Sequence, residues 1–481
     1  MNNFIDRYQN FINTNSIAKK INTFCNSYLF MFIIGFLVVI SNVFAIELFC
    51  FPIISLLGVV TLLFSKDGKP LISIILLFLM SLSYKNGLSY NPNFDIPNIF
   101  DKTWVIVYSA ILIGIVPLTA IFNFIVFRQY KLAFKKSLMF LPGLIALGVA
   151  YVLGGIGPKY TPNNLLFSLS NILMIIGLVL YFSDLAFLNK KEDTMKYISM
   201  FMVVTLLVIS FQVIGIYFIN DVIVNGTIDK GQIVTGWGIH NNFAGYICLS
   251  LPFIFYLMVK EEKSWIYFLL IIFAGLTTIL TMSRNGLLIF AIEIIIGLIA
   301  YIKIKKIKRK TILISALSLL GVFVLGFAIF HTQIIELFNH FIELGFSLNG
   351  RDELYKIAWD SFLANPIFGS GWFVFETTTP DYYISPNPFS PSFKAHNIIL
   401  QILSATGIVG LIGFIYYNYD LHIKVFKKNS FEKTILYFAI LILMLSSIFD
   451  NFFFDYGFER YLGLFYIGLS IYHYDSKELI N

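Results

Sequence analysis

Three side chains in this sequence have the type and setting to hold an anionic group and move a proton: Arg284, Arg351 and His396. Arg284 stands in Thr281-Met282-Ser283-Arg284-Asn285-Gly286, a turn between two apolar runs that is too short for a solvated loop. Its guanidinium is therefore expected at or just below a membrane surface, where an unpaired charge costs about 2.5–3.5 kcal/mol on insertion scales. Lys would anchor a span equally well, so Arg at this place points to a bidentate contact with phosphate or carboxylate. Arg351 follows Asn349-Gly350, which reads as a helix start with Asn349 as cap and Asp352 and Glu353 suited to the first turn. Free N–H groups and a guanidinium can share an anion there; a pair with Asp352, Glu353 or Glu376 is the competing reading. His396 opens an apolar run, Ala395-His396-Asn397-Ile398-Ile399-Leu400-Gln401. A neutral imidazole at that mouth can take a proton from a hydroxyl near pH 7, against the plainer role of an interfacial His bonded to backbone. His240 has a similar placement in Gly238-Ile239-His240-Asn241-Asn242, Lys394 is a further phosphate candidate, and Arg460, beside Glu459 and close to Asp455, suits a salt bridge better than a ligand.

The elements that position these residues are membrane spans. Of 481 residues, 58% are hydrophobic and 13% charged, with mean hydropathy +0.80, about half the charge fraction of a soluble domain. An all-α polytopic membrane protein is expected. Fourteen candidate spans fall near 28–46, 48–65, 70–84, 103–127, 137–155, 164–188, 195–219, 240–259, 264–282, 286–302, 311–331, 396–419, 433–450 and 456–473. Removing an adjacent pair preserves parity, so the expectation is about 12–14 transmembrane helices. The chain then divides into spans over 1–331, one long loop over 332–395, and C-terminal spans over 396–481. Within that loop Leu354, Ile357, Ala358, Phe362 and Trp359 mark one face of an amphipathic helix expected to lie on the membrane surface. Pro366 ends it, and Gly369 and Gly371 let the chain reverse. The segment before Tyr28 is too long and polar for a cleaved signal peptide.

Charge orients the bundle. With the N-terminus in the cytoplasm, 25 of the 34 Lys and Arg fall on the inner side and 9 on the outer, which supports both termini inside. The run at 303–310 is then a cytoplasmic anchor. Only six of the 34 cations are Arg, yet Arg284, Arg351 and Arg460 all fall outside. An outward face that keeps Arg where the chain otherwise uses Lys suggests an anionic ligand there. The three cysteines (Cys25, Cys50, Cys248) are dispersed, and the four outer histidines (His240, His331, His340, His396) lack zinc spacing. No Asp-x-Asp, no Gly-rich phosphate loop and no Gly-x-Ser-x-Gly elbow occurs. A metal-dependent sugar-nucleotide transferase or an ATPase is thereby disfavoured, and nucleic acid is not implied.

From about Thr235 to Gly413 the sequence resembles the O-antigen ligase and polysaccharide polymerase family of bacterial membrane glycosyltransferases. The resemblance rests on Ser283-Arg284-Asn285-Gly286, Gly350-Arg351 with Leu354 and Trp359, Asn365-Pro366-x-x-Gly369-x-Gly371, His396-Asn397 with Leu400-Gln401, and Gly407-Ile408-Val409-Gly410. It implies a GT-C-like helical fold in the bacterial cytoplasmic (inner) membrane with its site facing the periplasm or outside. It implies a metal-independent, inverting glycosyltransferase that needs no cofactor. The donor would be an undecaprenyl-diphosphate-linked glycan and the acceptor a glycan or lipid hydroxyl, in making O-antigen, capsule or exopolysaccharide. Arg284 and Arg351 would hold the diphosphate and His396 would act as base. The loop aromatics Trp372, Phe373, Phe375, Tyr382 and Tyr383 would stack on sugars or shield the loop's own core. Polymerase is preferred, because nothing marks recognition of a lipid core and no extra soluble domain suggests a protein acceptor; ligase is the alternative. A chain-length regulator and a flippase would be partners. A lipid-linked glycan flippase is the reading from another class, disfavoured by the long 332–395 loop, and a structural partner of a polysaccharide assembly complex is a third.

Overall fold

A computed structural model describes residues 2–65, 67, 69–83, 103–127, 140–156, 162–187, 191–220, 222–224, 227–307, 351–372, 395–426, 430–450, 452–454 and 461–466, with isolated positions at 321, 324, 328, 331, 335, 339 and 469. The chain is an all-α polytopic membrane protein. Among the described residues seven helices are long and apolar enough to cross a bilayer, or eight if the bent pair Ser16–Cys25 and Tyr28–Phe44 forms one span. Every expected span from 28–46 to 286–302 is helical, as are 396–419 and 433–450. The expected span 311–331 lies almost wholly outside the described residues and 456–473 mostly so, as do the Lys394 and Arg460 candidates.

In chain order the helices are α1 (Asn2–Thr14), α2 (Ser16–Cys25), α3 (Tyr28–Phe44), α4 (Glu47–Phe64), α5 (Lys69–Leu77), α6 (Thr103–Phe127), α7 (Leu141–Gly155), α8 (Pro162–Phe187), α9 (Lys191–Ile219), α10 (His240–Lys260), α11 (Ser264–Leu280), α12 (Arg284–Lys305), α13 (Arg351–Ala364), α14 (Ile398–Phe426) and α15 (Phe431–Asp450). The sequence reading left α1 and α2 unrecognised. Both are amphipathic, and Tyr8 and Ile12 of α1 pack on Phe64, Phe122, Val126 and Phe127 at the ends of α4 and α6.

The centre of the bundle is α10, whose residues from Phe243 to Met258 are all buried. A helix apolar on every side is stable only when other helices surround it, and α9, α11, α12 and α15 do so. Close approach is local. A Cβ on Gly286 of α12 would collide with the Cβ of Ala244 on α10, so this glycine sets the spacing at the end where both helices begin. The 220–239 segment between α9 and α10 forms a small hairpin, β1 (Ile223–Val224) with β2 (Thr227–Ile228), followed by a 3-10 turn at Lys230–Gln232.

The amphipathic helix expected in the long loop is α13. Its Leu354, Ile357 and Ala358 face packs against Ala395 and Leu400, so that face is covered by protein rather than left for lipid. The large apolar side chains left exposed on and just after α13 are Trp359, Leu363, Ile367 and Phe368.

Candidate functional site

Four segments that carry candidate residues begin helices at one end of the bundle. His240, Arg284 and Arg351 are the first residues of α10, α12 and α13, and His396 lies two residues before α14. Three of these helices reach lysine at their far ends: Lys260 ends α10, Lys303 and Lys305 lie in the last turn of α12, and Lys424 in that of α14. The positive ends of the helix dipoles therefore gather where the candidates are.

The last turn of α15 ties them together. Asp450, only 6% exposed, bonds through Oδ1 to Nδ1 of His396 at 2.5 Å, while the imidazole keeps 29% exposure. Arg351 Nη1 donates to the carbonyl of Phe449 at 2.6 Å, and Asn285 Nδ2 donates to that of Ser446 at 3.3 Å. Carbonyls of a helix's last four residues have no partner within the helix, so the Phe449 carbonyl of α15 is open to the Arg351 donor of α13. His396 has φ of +48°, a left-handed backbone uncommon outside glycine. Its neighbours hold it there. Asn397 caps α14 by accepting from Ile399 N and Leu400 N at 3.0 and 3.1 Å, and Gln401 Oε1 accepts from Ala395 N at 2.8 Å.

Arg284 is placed by its own turn. Met282 adopts φ of +56°, Ser283 caps α12 by accepting from Gly286 N at 3.2 Å, and the same hydroxyl donates to Asn241 Oδ1 of α10 at 2.8 Å. The starts of α10 and α12 are thus joined by a hydrogen bond. Lys230, on the loop just before α10, is half-buried in the field of Arg284 and Arg351; burial first, and those two charges next, lower its ammonium below the usual lysine range. His240 interacts electrostatically with Lys230, Asp450 and Arg351. One basic site thereby gathers His240, Arg284, Arg351 and His396, all named from sequence.

Two members were missed. Asp450 was passed over because it ends an apolar span; the available signal was a carboxylate at a span mouth on the same side as His396. Lys230 was counted only as one outer cation among nine. The second Asp450 oxygen, Oδ2, is buried without a hydrogen-bond partner among the described residues, an uncommon state for a carboxylate.

The other motif residues form a different structure. Helix α14 is broken at Gly407 (φ +67°, ψ −165°), and the stretch after α13 pairs with the break. Ser370 N and Gly371 N donate to the carbonyls of Ser404 and Ala405 at 2.7 and 3.0 Å, and Ile408 N and Val409 N donate to those of Pro366 and Ile367 at 2.9 and 3.2 Å. A Cβ on Gly369 would strike the Ala405–Thr406 backbone, and one on Gly407 the Ile367 carbonyl. Trp372 is fully buried, with N donating to Gly154 O at 3.1 Å and Nε1 to Tyr151 O at 2.9 Å. It is a core residue, so stacking on sugar is ruled out for it. Phe373, Phe375, Tyr382 and Tyr383 lie outside the described residues.

The fold and this end of the bundle define a class: a multi-pass membrane protein with a basic, imidazole-bearing site built from helix N-termini. Residues 268–415 match the family described as O-antigen ligase, and the match supports membership of the O-antigen ligase and polymerase family. That stretch contains Arg284, Arg351 and His396; Lys230, His240 and Asp450 fall outside it. No curated protein and no solved structure matches the chain.

Proposed function

We propose that the protein is a bacterial membrane glycosyltransferase that extends surface polysaccharide from undecaprenyl-diphosphate-linked repeat units, with its site on the outer face of the cytoplasmic membrane. The observation that carries this reading is the join of His396 to Asp450 and of Arg351 to Phe449, adjacent residues of one helix end. With Nδ1–H donating to Asp450, Nε2 of His396 holds the lone pair that takes the acceptor's proton, and Asp450 stabilises the imidazolium that forms. The acceptor oxygen attacks the anomeric carbon, the bond from that carbon to the diphosphate oxygen breaks, and its electron pair leaves on undecaprenyl diphosphate. Direct attack inverts the anomeric centre. Arg284 and Arg351 stabilise the charge that develops on the leaving group; one of the five guanidinium N–H donors of Arg351 is used on Phe449 O.

The basic helix-start cluster and the family match support a lipid-linked, anionic donor. Polymerisation is preferred over ligation because the sequence carries no feature for a lipid core. Purified protein in lipid nanodiscs, given carrier-linked repeat units in the presence of a chelator, should lengthen them, and His396→Ala should not. Movement of the carrier across a sealed bilayer with no new glycosidic bond would overturn the reading in favour of a flippase. Transfer to a lipid-core acceptor, with no lengthening of carrier-linked units, would assign the same chemistry to a ligase.

A further inference from the structure

Lys230 stands out among the cations at this end because its surroundings are arranged against it. The described residues of the 220–239 segment are hydrogen-bonded to one another. Asp229 N donates to Val222 O at 2.8 Å, Asn220 Nδ2 to Gln232 O at 2.8 Å, and Thr235 N to Gly238 O at 2.8 Å. Val222 and Ile233 are buried beneath it. The adjacent carboxylate is spent on the turn: Asp229 Oδ1 accepts from Gly231 N at 2.9 Å and Oδ2 from Gln232 Nε2 at 3.3 Å. No ion pair to Lys230 occurs among the described residues, and the charges beside it are Arg284 and Arg351. Tyr217, near the end of α9, donates to Leu280 O at 2.7 Å, and Ser283 bonds Asn241, so the segment is held from both sides against the turn that carries Arg284. A half-buried lysine held among like charges on a fixed loop loses stability unless an anion is shared.

We propose that Lys230 is a third cation of the donor site, contacting the diphosphate from the 220–239 loop and acting mainly as the leaving group forms. This rests on the glycosyl-transfer reading above. The chemistry explains why a third charge is useful. In the donor each phosphate is esterified and carries one negative charge. Heterolysis of the bond to the anomeric carbon leaves the pair on the terminal phosphate, which gains a further charge. Two guanidiniums match the ground state, and the added ammonium matches the product-like state. An interaction stronger in the transition state than in the bound donor raises turnover rather than affinity for substrate.

The test combines turnover with direct binding. Lys230→Ala should lower kcat about 10- to 100-fold with little change in KM for the acceptor, and Lys230→Arg should recover most of the loss. Binding of undecaprenyl diphosphate to the purified proteins, read by calorimetry without any transfer, should weaken about tenfold in Lys230→Ala. Undecaprenyl monophosphate should bind both proteins alike. Unchanged turnover and diphosphate binding in a well-folded Lys230→Ala would overturn the proposal while leaving the transferase intact. Lys230-dependent diphosphate binding by a protein that forms no glycosidic bond would leave the cation role standing and sink the transferase reading. If Lys230→Ala fails to accumulate, Lys230→Gln serves, and loss of diphosphate selectivity there supports the same conclusion.

Discussion

The helix-start cluster and the broken-helix lock are interleaved along the sequence and do opposite things. In the cluster, side chains at the starts of α10, α12 and α13 and just before α14 present charge and imidazole, and the backbone holds them in place. In the lock, the backbones of 366–372 and 404–409 bond to one another, and the side chains that matter are absent ones, at Gly369 and Gly407. The comparison separates residues proposed to touch substrate from residues that set where others stand. Each motif divides along that line. Ser283 caps and Gly286 sets helix spacing around Arg284; Asn397 caps and Gln401 staples beside His396.

The largest effect should come from the cluster. His396→Ala is expected to lower transfer by about 10²–10⁴-fold, the span typical of a lost general base, with accumulation and thermal unfolding unchanged. Asp450→Asn should act through the imidazole: it keeps shape but loses the charge that favours imidazolium, so the pH at which activity rises should move. Intact activity in both variants, measured as lengthening of carrier-linked units, would remove the acid–base assignment. Next comes Gly407→Ala. Its backbone, with φ +67° and ψ −165°, lies in a region essentially reserved for glycine and costs a residue with Cβ about 1–3 kcal/mol, and the clash with Ile367 O adds to that. Activity and thermal stability should fall together here, whereas in His396→Ala they part. Stable but inactive Gly407→Ala would mean that the break in α14 belongs to the site after all.

Arg351→Lys should fall between these. It keeps the charge but loses the planar fork that can bond Phe449 O and a phosphate at once. A loss of about tenfold in turnover is expected, larger than any change in unfolding temperature. Full activity in Arg351→Lys would reduce Arg351 to a point charge.

How far the sequence carries this picture differs between the two regions. Span positions were legible because hydrocarbon-length apolar runs are the strongest signal a chain gives. Arg284, Arg351 and His396 were legible because charge and imidazole at span mouths stand out against an apolar background. Asp450 was not, since a carboxylate at the end of a span reads as an ordinary boundary until its partner 54 residues away is located. The pairing of 366–372 with 404–409 was not legible either: Gly369 and Gly407 announce turns, but not which backbone comes close enough to need them. The face of α13 was misjudged for a related reason. Periodicity found the stripe through Leu354 and Ala358, and only tertiary packing against Ala395 shows that protein rather than lipid covers it.

The smallest test bears on the same distinction from the side of the lock. For Trp372 the family resemblance left two roles, stacking on sugar or shielding the protein's own core, and it is fully buried between Tyr151 and Phe167, with ring centroids 5.4 and 5.5 Å away. Gly154 lies so close that a Cβ there would meet the indole. Trp372→Phe keeps an aromatic ring but removes the Nε1 donor to Tyr151 O. A buried carbonyl left without its partner costs about 1–3 kcal/mol, and the smaller ring adds a modest cavity term. Unfolding should therefore occur at lower temperature or denaturant, while KM for donor and acceptor stays within about twofold at temperatures where the protein is folded. A rise in KM for the glycan with unchanged stability would return Trp372 to the substrate path and blur the boundary between lock and cluster. A fall in stability alone keeps it sharp, because a residue that binds sugar must be reachable by sugar, and this one is fully buried against Tyr151 and Phe167.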